Sequence, residues 1–203
     1  MNSAGSPSYV GARARLTSPA TRVPITGDRK VALRPLLFGP LPDAKAGRTA
    51  LRGPSTETQL HTYILVEAAR RPDIEVVLEG FGVDYVPLYQ GKAAEEFARH
   101  GPYLALIPED NRAMTWLIDE GWTSGWGVWL RSELDLSRLR THFRKFTQLY
   151  DPESETWFIF RFYAPETLRR VIPALPPADF TAFTQNIAAF VVPSGSGTEA
   201  VLV

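Results

Sequence analysis

Arg161 is the residue whose type and position most directly raise the question of chemistry. It is the one charged residue in the aromatic run at 157–163, WFIFRFY. Burial of an unpaired guanidinium is strongly unfavourable, so this side chain must pair with a carboxylate, bind carbonyl oxygens or reach a sheet edge. Glu67, at the end of a predicted strand, and Glu166, in the first turn of a predicted helix, are candidate partners. A structural ion pair is the favoured interpretation, and a ligand-contacting arginine is the alternative.

His142 is the second side chain that could do chemistry, as a general base working with an acid such as Glu67. It lies between Leu139 and Phe146 along the apolar stripe of a predicted helix, which is typical of a structural histidine. The three histidines are far apart in sequence and there are no cysteines, so the spacing predicts no metal site and no thiol chemistry. We therefore predict no catalytic residue, no metal and no cofactor. A hydrolase or transferase using His142 is the alternative.

Charge and proline are unevenly distributed along the 203 residues. Residues 1–54 contain nine Lys/Arg against two Asp/Glu, a net charge of +7, and the remaining residues carry the balancing −7. Seven of the 17 prolines also fall in this first segment, which is typical of an extension that is partly disordered or wraps its own domain. Its basic residues could contact nucleic-acid phosphates. The acidic domain and the lack of interleaved aromatic residues argue against nucleic acid as a partner.

Beyond residue 54, strand and helix patterns largely alternate. Strands are predicted within 61–70, 103–108, 125–132 and 155–163, and helices over 92–101, 111–121, 133–147, 164–175 and 177–190. The run at 155–163 has two mostly apolar faces, which indicates a central strand. Alternation predicts an α/β fold, a single layered domain with helices packed on a mixed sheet. The predicted organisation is a Pro/Arg-rich extension at 1–54, an α/β domain at 55–192 and a flexible tail at 193–203.

Ser132 and Asp135 stand three residues apart and approximate a capping box. In such a box the hydroxyl and the carboxylate satisfy the free N–H groups at the start of a helix. The pair therefore predicts that the helix over 133–147 begins directly after Ser132.

Two motifs, THFRKF at 141–146 and FRFYAP at 160–165, together resemble the signature of the domain-of-unknown-function family 4123. YILVEAAR at 63–70 and GPYL at 101–104 add two further matches in the same order, so the resemblance covers roughly residues 60–190. The signature falls on His142, Arg144, Phe146, Phe160, Arg161, Phe162, Tyr163 and Pro165.

The sequence departs from this family pattern at two positions. Glu67 stands where the family commonly has aspartate, and Ala164 replaces the aspartate before Pro165. An aspartate before a proline at the first helical position would cap the helix, and alanine cannot do so. The loss also removes one acid from the neighbourhood of Arg161, which gives Glu67 and Glu166 more weight as its partners.

The resemblance implies a role in bacterial type VI secretion, where members of this family act as effector chaperones or adaptors. Such a protein binds a cognate effector toxin and helps to load it onto the tip spike protein, VgrG. The resemblance thus implies that the signature residues are structural or partner-binding. No signal peptide and no membrane span is recognisable in the sequence, so we expect a cytoplasmic protein without a membrane partner.

Overall fold

The computed structural model describes residues 20–41, 59–89, 91, 100–151 and 153–203. Predictions for residues 1–19 and 42–54, and for residues 92–99 of one predicted helix, lie outside this part. The described strands are β1 (Thr21–Pro24), β2 (His61–Glu67), β3 (Tyr85–Pro87), β4 (Pro102–Leu106), β5 (Gly127–Ser132), β6 (Gln148–Asp151), β7 (Thr156–Ile159), β8 (Ile187–Pro193) and β9 (Glu199–Leu202).

The described α-helices are α1 (Arg29–Phe38), α2 (Ile74–Gly80), α3 (Arg112–Trp116), α4 (Leu136–Arg144), α5 (Pro165–Arg170) and α6 (Pro177–Phe183). A π-helical turn, Leu117–Gly121, extends α3, and a short 3₁₀ turn, Ile172–Ala174, follows α5. The predicted α/β content is therefore confirmed.

Seven strands form one sheet in the order β1-β9-β8-β5-β2-β4-β3. Each described pair in it is antiparallel, whereas the sequence predicted a mixed sheet. The reason lies in the crossovers: α2 connects β2 to β3 and α3 connects β4 to β5, and each crossover leaves a gap between the two strands it joins. An oppositely directed strand fills each gap, β4 in the first case and β2 in the second, so alternation in sequence produces no parallel pair.

Helices cover both faces of this sheet. Alternate residues of β2 point to opposite faces, so Ile64 and Val66 join one core cluster while Tyr63 and Leu65 join the other. Helices α1, α2 and α3 contribute apolar residues to the first cluster, and α4, α5 and α6 contribute to the second. The described domain is thus a three-layer arrangement with the sheet as its middle layer and β5 as the central strand of that sheet.

Part of the basic N-terminal segment belongs to this domain. Strand β1 pairs with β9, and helix α1 buries Leu33 and Leu37 completely. The guanidinium of Arg131, a buried residue of β5, donates to the carbonyl oxygens of Gly39 and Phe38 and so secures the end of α1. The domain therefore includes residues 20–41, which the predicted boundary at 55 had separated from it.

The C-terminal segment is a strand of the sheet and not the flexible tail that the sequence predicted. Ala200 and Val201 of β9 are buried, and β9 pairs with both β8 and β1. The Gly- and Ser-rich stretch that suggested flexibility forms the β8–β9 turn, where Gly197 adopts a positive φ of 73°. The helix predicted over 177–190 ends at Phe183, because Asn186 takes a left-handed φ of 61° and β8 follows.

The run at 155–163 is not a central strand. Its residues 156–159 form β7, which pairs with β6 in a separate two-stranded hairpin, and all four residues are exposed. Two apolar faces indicate burial only where a packed layer covers each face, and this hairpin lies outside the seven-stranded sheet. The chain leaves the hairpin after Phe160, and Phe162 and Tyr163 turn into the core.

The start of α4 also differs from the prediction. Asp135 is the N-cap, and its carboxylate accepts a hydrogen bond of 2.8 Å from the backbone N–H of Arg138. Ser132 is a residue of β5, and its hydroxyl donates to the carbonyl oxygen of Asn186 at 2.7 Å. The cap therefore belongs to Asp135 alone, because Ser132 instead links β5 to the turn before β8.

Candidate functional site

Helix α4 carries His142 into the core between α4 and α6. Its Nε2 donates to the carbonyl oxygen of Phe183 at 2.8 Å, and its ring lies 5.2 and 5.3 Å from the rings of Phe143 and Phe146. Burial lowers the pKa of His142, the hydrogen bond to Phe183 opposes this shift, and the charge of Lys145 adds to it. The side chain is therefore a neutral imidazole that links two helices.

The aromatic signature residues form part of one core cluster. Phe162 is fully buried, and its ring stacks on Phe143 at 5.3 Å and meets Phe183 edge-on at 5.3 Å. Phe160 and Phe146 are partly buried against the same cluster. Offset and edge-on aromatic pairs contribute stability beyond the area that they bury. These signature positions therefore hold α4, α6 and the chain before α5 together, while Arg144 of the same signature is exposed at the end of α4.

Tyr163 continues this buried stretch. Its hydroxyl lies 3.4 Å from the hydroxyl of Tyr89, and burial is the largest of the causes that raise its pKa. Tyr163 therefore stays protonated at neutral pH. Pro165 is the first residue of α5, and Ala164 is the N-cap, with extended backbone and no side-chain hydrogen bond to the helix. The uncapped helix start expected from the sequence is thus present.

Arg161 lies apart from the aromatic cluster and pairs with Glu67. Glu67 is 2% exposed, whereas the Arg161 side chain is 51% exposed. A second guanidinium, that of Arg70, places its Nε 3.4 Å from Oε2 of the same carboxylate. Of the two suggested acids, Glu67 is the one that contacts Arg161. Glu166 instead pairs with Arg170 at 2.9 Å. Two arginines thus compensate one buried carboxylate.

An open cleft of about 700 Å³ lies beside this ion pair. Four arginines and a single carboxylate line it, together with hydroxyl, glycine and apolar residues; the charged ones are Arg70, Arg161, Arg169, Arg170 and Glu166. We call this feature the arginine cleft. Sequence reasoning identified Arg161 but missed the other three arginines. The available signal was spacing, since Arg70 follows Glu67 by three residues and Arg170 follows Glu166 by four, the separations of helical ion pairs.

The hairpin of β6 and β7 is the second candidate site, and we call it the apolar hairpin. Its large apolar side chains are between 45% and 63% exposed; they are Leu149, Tyr150, Trp157, Phe158 and Ile159. Tyr150 faces Trp157 across the hairpin with ring centroids 5.2 Å apart, and Leu149 faces Phe158. Paired residues share a face, so both faces of the hairpin present apolar side chains.

Acidic residues occupy the turn of this hairpin. Asp151, Glu153 and Glu155 lie within five residues, and the last two are exposed. The hydroxyl of Ser154 donates to the Asp151 carboxylate at 2.6 Å, and this bond is the first cause that lowers the pKa of Asp151. Asp151 therefore keeps its negative charge at neutral pH beside the apolar strands.

The geometry does not assemble the catalytic pair that the sequence left open. The His142 imidazole donates a hydrogen bond to the carbonyl oxygen of Phe183, whereas the Glu67 carboxylate forms ion pairs with Arg70 and Arg161. Within the described ranges, no group of three or more His, Asp or Glu side chains could hold a metal ion. None of the described helices has the length and apolar character needed to cross a bilayer. The two sites offer charge and apolar surface, which are properties used in binding.

Comparison with known proteins gives one match. The family model described as Domain of unknown function (DUF4123) matches residues 62–182, more than half of the chain. No curated protein and no solved structure matches. The matched range contains all four motifs quoted from the sequence, including the signature stretches on α4 and before α5. The chain therefore belongs to the DUF4123 family, as its motifs predicted.

Proposed function

We propose that this protein is a non-enzymatic adaptor that binds a cognate effector toxin and helps to load it onto the VgrG spike of a bacterial type VI secretion system. Membership of the DUF4123 family supports this role through the resemblance described for its motifs. The role requires a cytoplasmic location, where toxin and spike meet before secretion.

The observation that carries the proposal is the exposure of the apolar hairpin. Trp157, Phe158 and Ile159 are consecutive residues, each at least half exposed, and Leu149 and Tyr150 lie opposite them. Contiguous exposed apolar surface is a mark of protein interaction sites, and Trp and Tyr are enriched among residues that dominate binding energy. The hairpin is therefore the surface we assign to the toxin.

The charge of the hairpin turn narrows the kind of surface that would fit it. Asp151, Glu153 and Glu155 border the apolar strands. A toxin segment that combines apolar side chains with flanking Lys or Arg would bury the aromatic residues and meet opposite charge at the turn. We therefore expect the toxin to offer an apolar patch with a basic border.

Two experiments test this role. The protein should co-purify with the product of a neighbouring toxin gene, and deletion of its own gene should abolish delivery of that toxin to sensitive recipient cells. Trp157→Ser combined with Ile159→Ser should reduce both co-purification and delivery, because it removes two apolar side chains from one face of the hairpin.

Val76→Ser provides the matched control, since Val76 is a 70% exposed apolar residue on α2, away from the hairpin in sequence. This variant should deliver toxin like the unaltered protein. Undiminished delivery after deletion of the gene would contradict the adaptor role.

A further inference from the structure

The arginine cleft has more positive than negative charge around it, with four arginines against two carboxylates. Its lining contains four arginines, and the carboxylates that contact them are Glu166 in the lining and the buried Glu67 behind it. Burial lowers the pKa of Arg169, Glu166 raises it, and the charges of Arg170 and Arg22 lower it further. Like charges are thus held close together around this opening, which favours a negatively charged ligand.

The arginines also keep donors for such a ligand. A guanidinium has five N–H groups, and the contacts described for each of these side chains use a minority of them. Arg161 and Arg70 share the Glu67 carboxylate, Arg170 contacts one oxygen of Glu166, and Arg169 donates to the carbonyl oxygen of Pro193. Arg170 is 76% exposed and Arg161 is 51% exposed, so both can reach a molecule in the cleft.

The remaining lining is suited to a ligand larger than a simple anion. Trp122, Pro165, Val171 and Pro193 contribute apolar groups, and hydroxyls come from Thr123, Ser124, Thr167 and Ser194. A volume of about 700 Å³ lies within the range of sites that enclose a drug-sized molecule and far exceeds that of one phosphate ion. Carboxylates spaced along a chain with apolar side chains between them would match this mixture of arginine and apolar lining.

We infer that the arginine cleft binds an acidic segment of a partner protein, with the guanidinium groups holding its carboxylates. The inference rests on the proposed function in that the ligand is part of a protein that this adaptor binds. It adds a second surface, distinct in its chemistry from the apolar hairpin: one recognises apolar side chains and the other recognises carboxylates.

A rhodamine-labelled peptide of alternating glutamate and leucine residues provides the probe, and fluorescence anisotropy with the full-length protein measures its dissociation constant. The same peptide with glutamine in place of glutamate should bind at least about tenfold more weakly, because it lacks the charges that the arginines recognise. Affinity for the glutamate peptide should fall as the salt concentration rises.

Arg170→Glu should weaken binding of the glutamate peptide by about tenfold, because it places like charge where the carboxylates sit. Arg138→Glu is the matched control: Arg138 is 77% exposed and pairs with an acid of its own helix, Asp135, as Arg170 does with Glu166. The control should change the dissociation constant by less than about twofold, since an exposed charge outside the cleft is screened by salt.

Ala164→Asp tests the cleft without the risk of unfolding. Ala164 lines the cleft and is the uncapped N-cap of α5, so the new carboxylate should stabilise the helix while opposing acidic ligands. It should raise the melting temperature and weaken binding of the glutamate peptide.

Three results would overturn the inference. They are no binding of the glutamate peptide, equal binding of the glutamine peptide, and equal loss of affinity in Arg170→Glu and Arg138→Glu. Displacement of the peptide by inorganic phosphate at matched ionic strength would also overturn it and would reassign the cleft to a small anion. Because this assay uses purified protein, its failure is separate from a failure of toxin delivery, which would contradict the adaptor role alone.

Discussion

Residues 157–159 and residues 160–163 are adjacent stretches of similar aromatic composition with opposite surroundings. Trp157, Phe158 and Ile159 stand at least half exposed on the apolar hairpin, whereas Phe162 and Tyr163 are almost completely buried. The change occurs at Phe160, where the last backbone hydrogen bond to Thr147 closes the base of the hairpin. Two adjacent aromatic stretches thus differ in environment: the second is anchored in the core, and the first remains exposed.

This difference separates stability from binding along the chain. Burial of a phenylalanine side chain contributes about 1.5–3 kcal/mol, whereas an exposed one contributes little until a partner covers it. Substitutions in the buried stretch should therefore reduce the free energy of unfolding, and substitutions in the exposed stretch should reduce affinity.

Phe162→Ala should cause the largest loss of stability. The ring is fully buried against Phe143 and Phe183, so its removal leaves a cavity and should cost about 3–5 kcal/mol. Urea denaturation followed by far-UV circular dichroism measures the free energy of unfolding. Phe158→Ala is the matched control, and its effect should stay below about 0.5 kcal/mol because this ring is 52% exposed. Equal losses in the two variants would contradict the separation.

Acidification should destabilise the protein through His142. Burial lowers the pKa of the folded-state imidazole below the ordinary 6.5, so the unfolded chain binds more protons once the pH falls below about 6.5. The stabilisation is complete above the unfolded pKa and is lost as the pH falls toward the folded pKa. His142→Gln keeps an N–H donor without titrating, so its unfolding free energy should vary less between about pH 7.5 and about pH 5.5. Identical pH profiles would exclude this role of His142.

Ala164→Asp should raise stability by roughly 1 kcal/mol. Ala164 has the extended backbone of an N-cap, and Pro165 already occupies the first helical position, so an aspartate could accept from the free N–H groups of α5. Differential scanning calorimetry would show this as a higher melting temperature. An unchanged or lower value would count against a helix that begins at Pro165.

Trp157→Ser combined with Ile159→Ser should have the smallest effect on folding. Both side chains are at least half exposed, so the free energy of unfolding should change by less than about 0.5 kcal/mol per site. Isothermal titration calorimetry with the toxin that we propose as its partner should nevertheless show weaker binding. A large loss of stability with unchanged affinity would assign the hairpin a structural role instead.

Local sequence patterns predicted the elements that depend on neighbours within a few residues. The strands around Tyr63, Leu104 and Trp129 are buried on both faces and follow from short runs of mainly apolar residues, and the apolar face of α4 follows from helical periodicity. The pairing of Arg161 with one of two nearby acids follows from the cost of burying an isolated charge. These features need no knowledge of distant segments.

The remaining features depend on contacts between distant residues. Strand β1 of the basic segment pairs with β9 of the C-terminal segment, as in the pair Thr21 and Leu202, and the two form one edge of the sheet. The sequence of neither segment indicates that it pairs with the other. The exposure of β7 in a hairpin outside the seven-stranded sheet is a matter of tertiary packing, which composition does not encode. The arginine cleft likewise unites residues from several loops and α5, so spacing could identify its ion pairs but not their convergence.

The pairing of β1 with β9 has a consequence for biosynthesis. β1 is among the first described residues to leave the ribosome, yet the strand that completes its hydrogen bonds ends at Leu202. Contacts between residues so distant in sequence form slowly because a long loop must close first. Strand β1 therefore stays unpaired while the intervening strands are synthesised. Its pairing with β9 follows only after translation has reached residue 202.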